Sequence, residues 1–195
     1  MNLVSAERTS PNSQGTLVML HGLGSDEQDL FGFADLIDKR IDVICIRAPK
    51  PYGPGFAWFD IQWTSQGIQV DPEEVQESVG AVAEEISNLN KPNLIVGGFS
   101  QGAMMSLGIV NRIPENCLGA VVLSGRSMPP GPRTFTGPIF QAHGIFDDVI
   151  PIEEARELSQ SLPNHEYHEY EMGHSICEPE MDDLNRWLAK TLDLK

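Results

Sequence analysis

The sequence has 195 residues, 41% of them hydrophobic, and its 28 acidic and 13 basic side chains give a formal net charge of −15. This length and apolar content predict a single domain, residues 1–195, with a sizeable core. The acidic charge argues against nucleic-acid partners and anionic membrane surfaces, since both are held mainly by Lys and Arg.

Three scattered cysteines, Cys45, Cys117 and Cys177, include no CxxC pair. This pattern favours reduced thiols over a disulfide framework or a structural zinc site. The first fifteen residues lack the basic start and apolar run of a signal peptide, and no apolar run approaches the length of a membrane span. We therefore expect a cytoplasmic protein without a metal site and without integral membrane association.

Short apolar runs alternate with amphipathic stretches along the chain. Most of the runs are continuous and rich in Val, Ile and Leu, as in strands covered on both faces. The predicted order is an edge strand at 2–8, strand 16–21, helix 26–39, strand 42–46, helix 71–91, strand 93–98, helix 101–112, strand 119–124, strand 138–143, helix 152–162, a polar strand at 165–170 and helix 180–192.

The helix after residue 70 has the clearest start signal. Asp71 is placed to cap it, Pro72 suits the first helical position, and Glu74 completes a capping box. Pro92 is expected to stop it. One helical face carries the apolar side chains Val75, Val79, Val82, Ile86 and Leu89.

The alternation of strands and helices predicts an α/β fold, with a mostly parallel sheet and helices on both faces. Two predicted loops, 48–70 and 125–137, are unusually long. Loops of this length in a compact domain are usually functional. We expect them to wall a substrate pocket, with Phe56, Trp58 and Met128 as candidate contacts, although the two aromatic side chains could instead serve loop packing.

The segment Gly98-Phe99-Ser100-Gln101-Gly102 has the pattern G-x-S-x-G. This five-residue pattern is weak evidence alone, but a predicted buried strand directly precedes it and a predicted helix directly follows it. This is the context of a nucleophile elbow, a tight turn that exposes a serine at the carboxyl edge of a sheet. The N-terminus of the following helix would favour negative charge developing there.

A serine hydroxyl needs a base to take its proton, and in this fold an acid and then a histidine follow the serine. His165 and His168 lie in a strand-like segment and are interpreted as surface residues. His174 follows Gly173 in a loop between the last strand and the last helix, so it is the favoured base, the alternative being a solvated loop histidine.

The acid is expected at the end of the preceding strand, where Asp147 and Asp148 are adjacent. Either could orient His174, and one of the two is expected to cap the helix that follows.

A serine that attacks a carbonyl group in acyl transfer produces an oxyanion, which needs hydrogen-bond donors to stabilise it. One is the backbone N–H of Gln101, the residue after the serine. The second is expected from Leu23 in the sequence His21-Gly22-Leu23-Gly24, although these glycines could also form an ordinary turn. His21 is interpreted as a brace for this loop rather than a chemical group.

Six segments together resemble the phospholipase/carboxylesterase family of α/β-hydrolases, which includes acyl-protein thioesterases and small bacterial carboxylesterases. They are HGLGSDEQDL at 21–30, AWFDI at 57–61, GGFSQGAMM at 97–105, LSG at 123–125, HGIFDDVIP at 143–151 and GHSIC at 173–177. The resemblance implies an α/β-hydrolase fold without a large cap domain.

By this resemblance Ser100 is the nucleophile, His174 the base and Asp147 rather than Asp148 the acid, and Leu23 and Gln101 supply the oxyanion N–H groups. The sequence departs from the family pattern at two positions. The family often has a polar residue where Ile145 stands and proline where Asp148 stands.

The expected function is a serine carboxylesterase for esters of short to medium acyl length, acting through an acyl-enzyme without a metal or organic cofactor. Its expected partner is a small-molecule ester or thioester, and a homodimer is left open. The alternatives are an acyl-protein thioesterase, a lysophospholipase, and a non-catalytic binding protein on a hydrolase scaffold.

Overall fold

The computed structural model describes residues 3–65, 67–128 and 134–194. The strands are β1 (Ser5–Arg8), β2 (Gly15–Leu20), β3 (Ile41–Ile46), β4 (Lys50–Tyr52), β5 (Gly55–Ala57), β6 (Gln62–Thr64), β7 (Gly67–Gln69), β8 (Leu94–Phe99), β9 (Cys117–Leu123), β10 (Ile139–Gly144) and β11 (His165–Tyr170). The α-helices are α1 (Glu27–Phe31), α2 (Pro72–Asn88), α3 (Gln101–Arg112), α4 (Ile152–Ser161) and α5 (Glu178–Thr191).

Within the described residues, β1, β3, β2, β8, β9, β10 and β11 form one sheet in that order. Among the described strands of this sheet, only the β1–β3 pair at the edge is antiparallel, so the predicted mostly parallel sheet is confirmed. The register places Leu20 beside Gly98 and Phe99 beside Leu123. The carboxyl ends of β2, β8 and β9 therefore meet at one edge of the sheet.

Helices cover both faces of the sheet, as predicted. Along β2, Val18 and Leu20 pack into one apolar cluster with α2 and α3, while Leu17 and Met19 pack into a second cluster with α1 and α5. Successive side chains of a strand point to opposite faces, so a continuous apolar run serves two cores at once.

The predicted helix over 26–39 is wrong in length. The α-helix α1 ends at Phe31, and a short 3₁₀ turn, Ala34–Leu36, follows it. Gly32 is the C-cap of α1, and its N–H donates to the carbonyls of Gln28 and Asp29. Glycine is a poor helix residue, so the chain turns there, and Ala34 is buried in the second cluster.

The start of α2 is predicted correctly except for its capping box. The Asp71 carboxylate accepts the N–H of Glu73 at 2.9 Å, and Pro72 is the first helical residue. Glu74 instead lies 2.6 Å from Lys50 Nζ and accepts the N–H of Asp60 at 3.1 Å. The helix ends at Asn88, ahead of the breaker expected at Pro92.

The segment 48–70 is not the irregular loop that the sequence predicts. It contains two short antiparallel ribbons, β4–β5 and β6–β7. Among the described residues, no helix is both long enough and apolar enough to cross a membrane.

Glu180, in the first turn of α5, is a fully buried carboxyl group. Its Oε2 accepts the N–H of Cys177 at 3.2 Å, whereas its Oε1 has no hydrogen-bond partner in the described part of the chain. Burial raises the pKa of Glu180 from its ordinary 4.5 to about 7. The folded state therefore binds this proton more tightly than the unfolded state.

We expect Glu180→Gln to stabilise the protein above neutral pH. Since the folded pKa is raised, the stability that Glu180 contributes is present below about pH 4.5 and is lost as the pH rises through about 7. The glutamine keeps an acceptor for Cys177 but carries no charge. At about pH 8 the variant should be more stable by on the order of 3 kcal/mol, and at about pH 4 nearly unchanged.

Urea unfolding at both pH values measures this difference. Glu178→Gln, an exposed position in the same helical turn, is the matched control and should show no such dependence. An equal effect of Glu180→Gln at both pH values would contradict the prediction.

Candidate active site

Ser100 lies at a sharp turn between β8 and α3. Its backbone has φ 55° and ψ −115°, a conformation that L-residues rarely adopt, and its N–H donates to the Leu123 carbonyl at 2.9 Å. A Cβ at Gly98 would overlap the backbone of Gly102, and a Cβ at Gly102 would overlap the Leu20 carbonyl oxygen. Both glycines of the G-x-S-x-G pattern are therefore required by close backbone approach.

The loop that follows β11 brings His174 to Ser100. The Ile145 N–H donates to Tyr170 and the Phe146 N–H to Met172, which extends the β10–β11 pairing past the ends of both strands. His174 Nε2 lies 2.9 Å from Ser100 Oγ. The Phe99 ring packs against the imidazole, with the ring centroids 4.8 Å apart.

Asp147 completes a hydrogen-bonded chain. Its Oδ2 lies 2.7 Å from His174 Nδ1, and its side chain is fully buried. Because a carboxylate only accepts, Nδ1 carries the proton and Nε2 faces the Ser100 hydroxyl as an acceptor. The other oxygen, Oδ1, accepts the N–H groups of Val149 and Ile150 at 3.0 and 2.8 Å.

Asp148 is exposed, so the structure brings only the first of the two neighbouring aspartates to His174. The expectation that one of them caps the next helix is wrong. Pro151 occupies the N-cap position of α4, where no side-chain hydrogen bond caps the helix among the described residues.

The segment after β2 lies beside Ser100. A Cβ at Gly22 would be 3.4 Å from the Cβ of Ser100. Gly24 has φ 80°, and its N–H donates to the Phe56 carbonyl at 2.8 Å. Within the described residues, neither the Leu23 N–H nor the Gln101 N–H donates a hydrogen bond, so both backbone donors are free at this edge.

His21 braces this segment, as the sequence indicates. Its Nδ1 donates to the Gly22 carbonyl at 2.7 Å, and its Nε2 accepts the N–H of Ala48 at 3.0 Å. One nitrogen donates and the other accepts, which requires a neutral imidazole. Burial lowers the pKa of His21, which also favours the neutral imidazole.

The role of the Gln101 side chain has no signal in the local sequence. It is fully buried, with Oε1 accepting the Trp58 N–H at 2.9 Å and Nε2 donating to the Phe59 carbonyl at 2.8 Å. The Trp58 indole donates to the His21 carbonyl at 2.8 Å and is 2% exposed. These bonds fasten the aromatic segment to the elbow, so Trp58 serves packing.

A groove of about 300 Å³ opens near the N-terminus of α3. Met104 lines it, and the Met104 N–H donates to the Ser100 carbonyl, one helical turn back. Phe56 is not among the lining residues of this groove, and its ring centroid lies 4.7 Å from the Arg47 guanidinium. The lining residues are Ile68, Gln69, Val70, Met104, Arg126, Ser127 and Met128.

Met128, a predicted pocket contact, lines this groove. The expected second wall, 125–137, includes residues 129–133, which lie outside the described residues. Over the described ranges, no group of three or more His, Cys, Asp or Glu side chains is arranged to hold a metal ion.

The chain is similar in sequence to proteins of a known family. Residues 2–192 match the family described as Phospholipase/Carboxylesterase. The chain is 32% identical to acyl-protein thioesterase 1 of Saccharomyces cerevisiae, over 96% of each chain. It is 28% identical to acyl-protein thioesterase 1 of Candida albicans, over 97% of this chain and 99% of that one.

Two solved structures share the fold. The structure of Zea mays acyl-protein thioesterase 2 superposes with a TM-score of 0.82 at 26% identity, covering 97% of this chain and 99% of that one. The structure of esterase PE8 superposes with a TM-score of 0.86 at 22% identity, covering 98% and 100%. The chain therefore belongs to the phospholipase/carboxylesterase family of α/β-hydrolases.

Proposed function

We propose that this hydrolase is a serine carboxylesterase for esters of short to medium acyl length, with Ser100 as nucleophile, His174 as base and Asp147 as acid. The observation that carries this proposal is the hydrogen-bonded chain from Asp147 through His174 to Ser100, with contacts of 2.7 and 2.9 Å. Each group has the orientation that its role needs, and the fold is that of a hydrolase family.

In the acylation step Ser100 Oγ attacks the acyl carbonyl carbon while His174 Nε2 takes the hydroxyl proton. Asp147 stabilises the resulting imidazolium through Nδ1–H. When the tetrahedral intermediate collapses, the bond to the leaving group breaks and Nε2–H protonates that group. Water then attacks the acyl-enzyme by the same route, which returns the proton to Ser100 and releases the acid.

The Leu23 and Gln101 N–H groups are the proposed donors to the oxyanion. Both are free of hydrogen bonds within the described chain, and the segment that holds Leu23 packs against Ser100. Gln101 is also the first residue of α3, so the helix dipole adds to its N–H. Such preformed donors stabilise the intermediate without having to reorganise.

The acyl group is proposed to lie in the groove beside α3. Its apolar lining includes Ile68, Val70, Met104 and Met128. A volume of about 300 Å³ is at the small end of the range for ligand pockets. This supports short and medium acyl chains over long ones.

An acyl-protein thioesterase is the second candidate. Both curated relatives described above carry that name, and the Saccharomyces cerevisiae protein aligns over 96% of its length. The proposed site accepts either leaving group, because Nε2–H can protonate an alkoxide or a thiolate. We further propose that residues 1–195 form a single domain and that the protein acts in the cytoplasm.

Short and medium acyl chains should be hydrolysed faster than long ones. Across nitrophenyl esters from acetate to palmitate, kcat/KM should be highest for a short or medium acyl chain, because longer acyl chains exceed the volume of the groove. Met128→Trp, which fills the groove, should lower kcat/KM for medium chains about tenfold and leave acetate nearly unchanged. A clear optimum at palmitate would contradict this prediction.

Parallel rates on oxoesters and thioesters of one acyl length distinguish the two candidate activities.

A further inference from the structure

His143 is a second buried histidine beside the proposed acid. It lies in β10, one residue before the strand ends, and its side chain is fully buried. Its Nε2 is 2.8 Å from the Ile150 carbonyl oxygen and 3.3 Å from Asp147 Oδ2. The proposed acylation and deacylation steps do not use this ring.

The protonation state of His143 follows from its contacts. A carbonyl oxygen only accepts, so Nε2 carries the proton. Nδ1 is buried and has no hydrogen-bond partner in the described part of the chain. A cationic ring would leave a buried N–H donor unpaired there, which is costly. Burial also lowers the pKa of His143, so the ring is neutral with its proton on Nε2.

The Nδ1–H of His174 donates to Asp147 Oδ2 at 2.7 Å. His143 Nε2, whose hydrogen bond goes to the Ile150 carbonyl, lies 3.3 Å from the same carboxylate oxygen. The two side chains His143 and Asp147 are fully buried, where water screens little of their interaction. The positive end of the His143 N–H dipole lies beside Oδ2 and offsets part of the negative charge that His174 experiences.

We propose that His143 is a positioning residue that places its ring N–H beside Asp147 Oδ2 and so weakens the attraction of Asp147 for the imidazolium form of His174. This inference rests on the proposed catalytic roles of Ser100, His174 and Asp147. It assigns to His143 no contact with substrate.

Other charges near these rings are already compensated. Glu154 of α4 acts on His143 but is paired with Arg126 at 2.9 Å. Glu169 of β11 also interacts with His143 and is paired with Arg156 at 2.7 Å. Asp147 contacts both rings, and the two rings also act on each other directly, since a positive charge on either one opposes a positive charge on the other.

Two variants test the proposal through the pH dependence of kcat/KM for a short nitrophenyl ester. His143→Phe keeps a ring of similar size but removes the N–H. We expect the midpoint of the acid limb to rise by about 0.5 to 1 pH unit, because Asp147 then holds the imidazolium more tightly. His143→Gln can place an amide N–H near the same position and should return the midpoint to within about 0.2 pH unit of the parent value.

A purely structural role predicts the opposite direction. If the substitution displaced Asp147, His174 would lose its anionic partner and the midpoint would fall. A midpoint that falls or does not move in His143→Phe would therefore overturn the proposal. Fluorophosphonate labelling of Ser100 in the same samples is a separate readout. Failed labelling of the parent protein refutes the proposed function, and normal labelling with an unmoved midpoint refutes only this inference.

A measurement on the unmodified protein covers the case in which His143→Phe does not fold. In protein labelled with ¹⁵N-histidine, nuclear magnetic resonance should show His143 neutral and protonated on Nε2 from about pH 5 to pH 8. Protonation of His143 within that range, or a proton on Nδ1 in the neutral ring, would overturn the proposal.

Discussion

Ser100→Ala should abolish labelling by a fluorophosphonate and lower kcat for ester hydrolysis by about 10⁴- to 10⁶-fold, a scale set by serine proteases of other folds. The variant lacks the oxygen that forms the acyl-enzyme, while the oxyanion donors and the groove remain. Mass spectrometry of the native protein should find one adduct, on the peptide that contains Ser100. The rate on a short nitrophenyl ester measures the loss of turnover.

The control for this experiment is Ser175→Ala, an exposed serine next to His174. It should label at the parent rate and keep its activity. Ser100→Ala should also unfold at nearly the parent temperature, because the backbone strain at φ 55° is about the same for alanine as for serine. Labelling that persists in Ser100→Ala would refute the assignment of the nucleophile.

Asp147→Asn should remain folded and lose turnover by about 10⁴-fold, the size of the same change in a serine protease of another fold. The asparagine Oδ1 can still accept the N–H groups of Val149 and Ile150, which hold the loop. Its amide group would instead donate to His174 Nδ1. The proton of the imidazole then moves to Nε2, which can no longer take the proton of Ser100.

Asp148→Asn is the matched comparison, since it makes the same chemical change one residue away. Asp148 is exposed and does not contact His174, so the variant should keep its turnover and change in stability by less than about 0.5 kcal/mol. Steady-state kinetics and thermal unfolding of both variants separate the two roles. An inactive Asp148→Asn would mean that the acid is assigned one residue too early.

The regular elements with strong periodicity could be read from the sequence. The strand at 165–170 and the helix at 101–112 are observed with their predicted bounds, and most other elements shift by one or two residues. The errors occurred where local patterns compete with distant contacts. Glu74 looks like part of a capping box but contacts Lys50, which is 24 residues earlier in the chain.

The sequence by itself determined the elbow at Ser100. Gly98 and Gly102 are needed there because strand and helix backbones approach too closely for a side chain, and that requirement is visible in five consecutive letters. The order of serine, acid and histidine along the chain likewise follows from the alternation of strands and helices.

Only the tertiary structure decided which side chains complete the site. The direction of a side chain in a turning loop depends on how neighbouring strands extend their pairing. The sequence alone therefore could not distinguish Asp147 from Asp148 as the acid, and only the spacing in the resembling family favoured Asp147. The buried contacts of Gln101 and His143 join segments that are 7 to 43 residues apart. Such contacts form only when the sheet brings the ends of its strands together, and they leave no local pattern in the sequence.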